Sequence, residues 1–335
     1  MVINNYEIIG ELHNDKSGYA KWGFAKKNGN EYFIKEFLSP IYPIDEEELS
    51  QELLERRRNI CNDFSRKKKE FYLALNKCIT GNIVTIIDFF RFKSKYYIVT
   101  EKVISESLSI DEISRLNDEQ KLLIIKVVLH CVSVLHEHHI VHGDIKPDNI
   151  LLKKTKKGMY TAKIIDFDSG FLESCAPSED EELQGDMVYL APEAFLYMIG
   201  EGKKLTGKID IFALGVLFHQ YFCGSVPEYK NEYDYLFEAV LNDAEIKIGK
   251  EVPESVIPIL RSMLDKDPDK RPEAKEILAY LQKGSLPSDD EAVNITENNR
   301  ETENSNLLKS TMRSRNDTNT SGSGGAFFRK AGELL

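Results

Sequence analysis

The sequence predicts an α+β chain in two parts: a five-stranded antiparallel sheet with a helical stretch, then a mostly helical region. Three observations carry this. Short apolar–polar alternations broken by glycine fill residues 1–36, the pattern of half-buried strands. Apolar residues at helical spacing follow, and then runs of β-branched and aromatic residues up to about residue 104. Beyond that point segments of helical period dominate.

YEIIGEL, YAKWGFAKK and NEYFIKEF read as three antiparallel strands. Residues 45–77 are charged, with Leu49, Leu53, Ile60, Phe64, Phe71 and Leu75 at helical spacing, giving one long helix or two. NIVTIIDFFRF and KYYIVTEKV add two strands joined by a polar turn. Asn117 or Asp118 caps an amphipathic helix running to residue 138. Short strands at 150–152 and 162–165 flank a glycine-containing turn, and helices follow near 191–198, 208–222, 232–241, 253–264 and 272–282. Past Gly284 the composition changes. Residues 285–324 are rich in Asn, Ser, Thr, Asp and Glu and end in SGSGG, which reads as a disordered tail or linker. The closing AFFRKAGELL is amphipathic, either a docking peptide or simply the chain's end.

With 335 residues, 41% of them hydrophobic, the chain can bury a sizeable core in one large domain or two lobes. A net charge of −11 argues against non-specific binding to nucleic acid or to an anionic membrane. The basic runs at 56–58 and 66–69 read as the solvated face of a long helix, with a docking patch as the alternative. Five scattered cysteines without a C-x-x-C pair point to free thiols in a reducing compartment. The start MVINNYEIIG lacks the features of a secretory signal. No apolar run reaches the roughly 20 residues of a spanning helix, so the expected location is the cytoplasm.

The chemistry concentrates in VHGDIKPDNILL, residues 141–152. A turn explains its proline and one acid, but not Lys146 and Asn149 at fixed steps after Asp144. A carboxylate can take a proton from an attacking hydroxyl. A nearby lysine can balance charge on a phosphoryl group in transfer, and an amide oxygen can ligate Mg²⁺ without adding charge.

This H-x-D-x-K-P-x-N pattern resembles the catalytic loop of the protein-kinase superfamily, of the eukaryotic-like (Hanks-type) Ser/Thr kind in a soluble, bacterial-type form. Other motifs stand in that family's order. Ile164-Ile165-Asp166-Phe167-Asp168 takes the place of its D-F-G segment, and Ala191-Pro192-Glu193 that of A-P-E. Asp210-Ile211-Phe212-Ala213-Leu214-Gly215 is similar to its D-x-W-x-x-G helix, and LDKDPDKRPEAKEIL, with Arg271, to its closing helices. The resemblance covers about residues 6–283. It implies a bilobal kinase-like fold: an N-lobe over 1–103 with an insertion at about 37–58, a C-lobe over 104–284, and the tail 285–335. It also implies ATP and Mg²⁺ as cofactors and protein hydroxyls as acceptors. Autophosphorylation follows too, with Ser310, Thr311 and Ser314 of the tail within reach of the cleft.

Residue roles follow from the same resemblance. Asp144 is the expected base, and Lys146 is the Ser/Thr-kinase choice two residues on. Asn149 and Asp166 are expected to hold Mg²⁺ against the ATP phosphates. Lys35, in EYFIKEF, is expected on the α- and β-phosphates, paired with a helix glutamate: Glu70, with Glu52 and Glu55 as rivals. Thr100 is the gatekeeper, the backbone of Glu101 and Val103 meets the adenine edge, and Leu151 floors the slot. Glu193 and Arg271 form a structural ion pair, and Asp210 braces the catalytic loop.

Several positions depart from the family. Of the glycine-rich phosphate loop only Gly18 remains, in HNDKSG. Phe33 replaces the alanine that makes room for adenine. Asp168 replaces the glycine of D-F-G, and either stiffens that turn or adds a carboxylate beside the metal. Asp186 replaces a threonine, able to bond Lys146 while repelling Asp144. Gly143 replaces the arginine of H-R-D, so the loop 171–187 is expected to order without a phosphate. The degraded glycine loop, Phe33 and Asp168 keep a pseudokinase scaffold open as the alternative. His130, His136, His138, His139 and His142 are read as packing and backbone-bonding residues rather than zinc ligands.

Overall fold

The computed structural model describes residues 1–14, 20–44, 50–78, 80–105, 108–177, 185–202, 204–230 and 232–283. These fall in one compact unit, Met1–Ser285. The expectations for Gly18 and for the tail past residue 285 lie outside the described residues.

The N-terminal sheet has six strands rather than five. They are β1 (Val2–Ile3), β2 (Tyr6–His13), β3 (Ala20–Lys27), β4 (Asn30–Phe37) and, after the single helix α1 (Gln51–Leu75), β5 (Ile86–Phe92) and β6 (Lys95–Glu101). The order is β1-β2-β3-β4-β6-β5, with every pair antiparallel. The added strand is two residues long, too short for alternation to reveal. It turns back on β2 through Asn4 and Asn5 at φ 46° and 69°, a region asparagine tolerates better than most residues.

The two-residue period of the strands separates the sheet's faces. Ile34 joins Tyr6, Ile8, Ala25 and Val99 in a small cluster on one face. Phe33, Lys35 and Phe37 turn to the other, where Phe37 meets Phe64 of α1 at 5.4 Å between ring centroids. The register sets Phe33 opposite Thr100 and Lys35 opposite Ile98. Ser50 caps α1 by accepting the Leu53 N–H at 3.3 Å.

The second part begins with α2 (Ile110–Ser114), too short to show a helical period and closed by a capping box of Ser109 and Glu112. Then comes α3 (Asp118–Glu137), capped by Asn117, which accepts the Gln120 N–H at 2.9 Å. The short strands β7 (Ile140–Val141), β8 (Ile150–Lys154), β9 (Tyr160–Ile164) and β10 (Phe171–Leu172) pair as β7 with β10 and β8 with β9. Among the described residues five α-helices follow: α4 (Pro192–Met198), α5 (Lys208–Cys223), α6 (Leu236–Leu241), α7 (Ile257–Met263) and α8 (Ala274–Lys283). Two start later than their apolar spacing suggests, because turns precede them. Glu238 draws the amides of Asp234 and Tyr235 into a cap at 2.9 and 3.1 Å, and Ile257 bonds back to Pro253 at 3.2 Å. The main core joins the buried stripe of α1 to α3, α5 and α8, and α5 is buried on nearly every side. No described helix is long and apolar enough to cross a membrane.

Candidate active site

The loop between β7 and β8 hangs on one buried carboxylate at the start of α5. Asp210 Oδ2 accepts the His142 N–H at 2.9 Å, and Oδ1 accepts the Gly143 N–H at 2.9 Å. His136 Nε2 lies 3.0 Å from Oδ2. Burial alone would raise the Asp210 carboxyl's pKa. The His136 hydrogen bond first, then the charges of His136 and His142 and the loop amides, hold it below the ordinary range. His142 donates from Nε2 to the Ile165 carbonyl at 3.0 Å and packs at a tilt against Phe167, 4.6 Å between ring centroids. That ties the loop to the end of β9. Gly143 has φ +77°, and a Cβ there would stand 2.7 Å from the Ser169 carbonyl oxygen. The arginine of the family pattern has no room at this point.

Asp144 gathers three donors. Its Oδ2 lies 2.8 Å from Lys146 Nζ and 3.0 Å from Asn149 Nδ2, and its Oδ1 accepts the Asp186 N–H at 3.3 Å. Asn149 Nδ2 also donates to the Asp144 carbonyl at 2.7 Å. Asp186 neither bonds Lys146 nor turns its charge on Asp144. Its carboxylate accepts the Val188 N–H at 3.0 Å within its own turn, and its backbone amide is what meets Asp144.

Lys35 Nζ lies 2.7 Å from Asp166 Oδ1 and 2.9 Å from Asp168 Oδ2. Burial would pull the ammonium's pKa down, but attraction to Asp168 and then Asp166 outweighs it and holds Lys35 above the ordinary lysine range. The Asp168 carboxyl is pushed up, by burial first and with the neighbouring Asp166 adding to it, against the pull of Lys35. Asp166 occupies the left-handed region at φ 62°, a conformation whose cost of about 1–3 kcal/mol is typical of functional sites.

Glu70 is not brought to Lys35. It lies on the exposed side of α1, 3.2 Å from Arg66, and Glu52 and Glu55 are exposed on the first turns of the same helix. The reason is helical phase. Cys61, Phe71, Tyr72 and Leu75 form the buried stripe, and position 70 points about 100° from its neighbour 71. The helix residue that reaches the D-F-D turn is Lys68, whose Nζ donates to the Asp168 carbonyl at 2.6 Å. Beside it Phe71 packs 6.4 Å from Phe167, and the Tyr72 hydroxyl is buried without a hydrogen-bond partner among the described residues. Burial, then Asp168 and Asp166, raise the pKa of that hydroxyl. Sequence reasoning missed Lys68, Tyr72 and the pairing of Asp168. The spacing of the apolar stripe was the signal that could have found the first two.

Above these groups a cleft of about 200 Å³ is lined by Phe33, Thr100, Glu101, Val103, Leu151 and Asp166, among others. Phe33 stacks on Trp22 at 6.0 Å and meets Phe24 edge-on at 5.8 Å, so the roof is aromatic. Thr100 Oγ1 donates to the Glu101 carbonyl at 3.2 Å. No described backbone carbonyl takes the Val103 N–H. Glu101 Oε1 accepts the Thr85 N–H at 2.8 Å and lies 2.8 Å from Lys163 Nζ.

A hard divalent cation fits two of these residues. Asp166 Oδ1 is buried beside the Lys35 ammonium at 2.7 Å, and the Asn149 amide spends its nitrogen on Asp144. The Asp166 carboxylate and the Asn149 amide oxygen are donors of the type Mg²⁺ prefers.

A model described as the protein kinase domain matches residues 54–281, from within α1 to α8. The chain is 29% identical over 240 residues to calcium-dependent protein kinase 6 of Plasmodium berghei, covering 66% of this chain and 16% of that protein. It is 30% identical over 228 residues to calcium/calmodulin-dependent protein kinase cmkA of Emericella nidulans, covering 64% and 52%. It is 28% identical over 235 residues to the hormonally up-regulated neu tumor-associated kinase of Mus musculus, covering 65% and 31%. The chain thus spans at most about half the length of these relatives. The matched domain starts after Lys35, and it takes in Asp144, Lys146, Asn149, Asp166, Glu193 and Arg271. This chain belongs to the protein kinase family.

Proposed function

We propose that the chain is an active protein serine/threonine kinase that uses ATP and Mg²⁺ to phosphorylate protein hydroxyls. The observation that carries the reading is Lys35, 2.7 Å from Asp166 in the lining of the cleft, together with Asp144, to which Lys146 and Asn149 are bonded. When bound, ATP and Mg²⁺ supply a γ-phosphoryl group and the positive charge that offsets its oxygens. On this reading the Val103 N–H and the Glu101 carbonyl offer a donor and an acceptor to the purine edge, over Leu151. Lys35 serves the α- and β-phosphates, while Asp166 and Asn149 offer oxygens to the cation. Asp144 accepts the proton of the attacking hydroxyl, and Lys146 balances charge beside it. Lysine at 146 supports Ser/Thr acceptors, including Ser310, Thr311 and Ser314 of the chain's own tail.

The test is a thermal-shift titration with ATP and Mg²⁺, followed by transfer of labelled phosphate to a generic basic protein. A raised midpoint and incorporated label are expected. A flat titration without label would favour the second reading, a pseudokinase scaffold. The Phe33 roof speaks for that alternative, since it stands where the family leaves space for adenine.

A further inference from the structure

We propose that Asp168 is the positioning residue for Lys35: the D-F-D turn, and not α1, carries the carboxylate that aims the ammonium at phosphate. The proposal rests on the kinase reading above.

Lys35 sits between two carboxylates, Asp166 at 2.7 Å and Asp168 at 2.9 Å. The oxygens of Asp166 are the ones suited to a cation. Once they are given to it, Asp168 is the carboxylate left against Lys35. A lone, long lysine chain carries several rotatable bonds, and one fixed anion beside it keeps it extended toward the cleft.

No helix carboxylate competes for the role. Glu70 is engaged with Arg66 on the far side of α1, and the residue α1 turns inward is a cation. Lys68 donates to the Asp168 backbone carbonyl at 2.6 Å. The charges across this contact are therefore reversed from the expected order, with the cation on the helix and the anion on the turn.

The turn is also braced well enough to act as a fixed support. Gly170 lies so close to the Phe71 ring that a Cβ there would run into it, and Phe167 packs on both Phe71 and His142. The glycine that this segment needs is at 170, for close approach to α1. Position 168 is free to carry a side chain.

The test is a double-mutant cycle on the full chain: Lys35→Met, Asp168→Asn and both together. It is read by affinity for a fluorescent ATP analogue with Mg²⁺, and by urea midpoints without nucleotide. Each single change is expected to weaken binding by about tenfold, with the double no more than about twofold below Lys35→Met alone, because partners acting as one unit are non-additive. Asp168→Gly, which installs the family's own residue, is expected to match Asp168→Asn. Binding by Asp168→Asn and Asp168→Gly within about twofold of wild type, or losses that multiply in the double variant, would overturn the assignment in a protein that still binds nucleotide. A wild type that binds none overturns the kinase reading and the role at phosphate with it. Coupled urea midpoints would then report the bare ion pair alone.

Discussion

Arg271 and Glu193 meet in a two-pronged ion pair, with Nη1 2.7 Å from Oε1 and Nη2 2.8 Å from Oε2. Arg271 is 1% exposed. Its other donors reach the Asp265 and Lys208 carbonyls at 2.8 and 2.9 Å, and its plane lies 5.0 Å from the Phe212 ring. Removing the carboxylate strands a buried cation. Glu193→Ala is expected to cost about 3–5 kcal/mol, read as a lower urea midpoint at unchanged m-value.

Asp144→Asn keeps the shape of the side chain and removes its ability to accept a proton. Phosphoryl transfer is expected to fall by about 10²–10⁴-fold, while the thermal unfolding midpoint stays in place. Wild-type autophosphorylation in this variant would defeat the assignment of Asp144 as base.

Phe33→Ala should move stability and nucleotide affinity in opposite directions. It removes two aromatic contacts, with Trp22 and Phe24, each worth about 0.5–1.5 kcal/mol. It also opens the roof of the slot. Calorimetry should show a lower midpoint and a nucleotide titration a lower Kd. Weaker binding in Phe33→Ala would mean that the ring supports the base instead of crowding it.

Gly143 leaves no arginine to clamp a phosphate on the following loop, and its φ of +77° against the Ser169 carbonyl excludes one. Protein treated with a phosphatase is expected to keep its transferase activity. Activity abolished by that treatment, and restored by ATP, would contradict this.

Stability should carry an acid limb from Asp210. Its carboxyl is held below the ordinary range in the folded chain, so its contribution is fully present above the unfolded value of about 3.9. It drains away as pH falls from there through the folded value. Urea midpoints followed downward from pH 5 should fall less steeply in Asp210→Asn than in wild type.

Legibility followed distance along the chain. Asp144, Lys146 and Asn149 stand within six positions, and the loop that carries them closes on itself through the Asn149–Asp144 bonds, so their convergence was readable. The pairing of Glu193 with Arg271 crosses 78 positions and was reached only through resemblance to a family. Glu70 was chosen as the partner of Lys35 because EFYLALNKC and the following NIV match the family's passage from helix to strand, whereas the phase of the α1 stripe decides which side chains face inward. The contact of Lys68 with Asp168 crosses 100 positions and ends on a backbone oxygen, which no side-chain pattern records. Strand β1 and helix α2 were too short for periodicity to mark.

Behind the cleft, Glu101 holds both the Thr85 amide and Lys163 of β9. Ile164 of the same strand donates to the Asn82 carbonyl at 2.8 Å and accepts the Val84 N–H at 2.9 Å. Sheet and helical region are thereby stitched along the rear of the cleft, in addition to the contacts of Lys35, Lys68 and Phe71 with the D-F-D turn. Val84 and Glu101, both in the cleft lining, are pinned to consecutive residues of β9, so the back wall of the cleft keeps a fixed spacing.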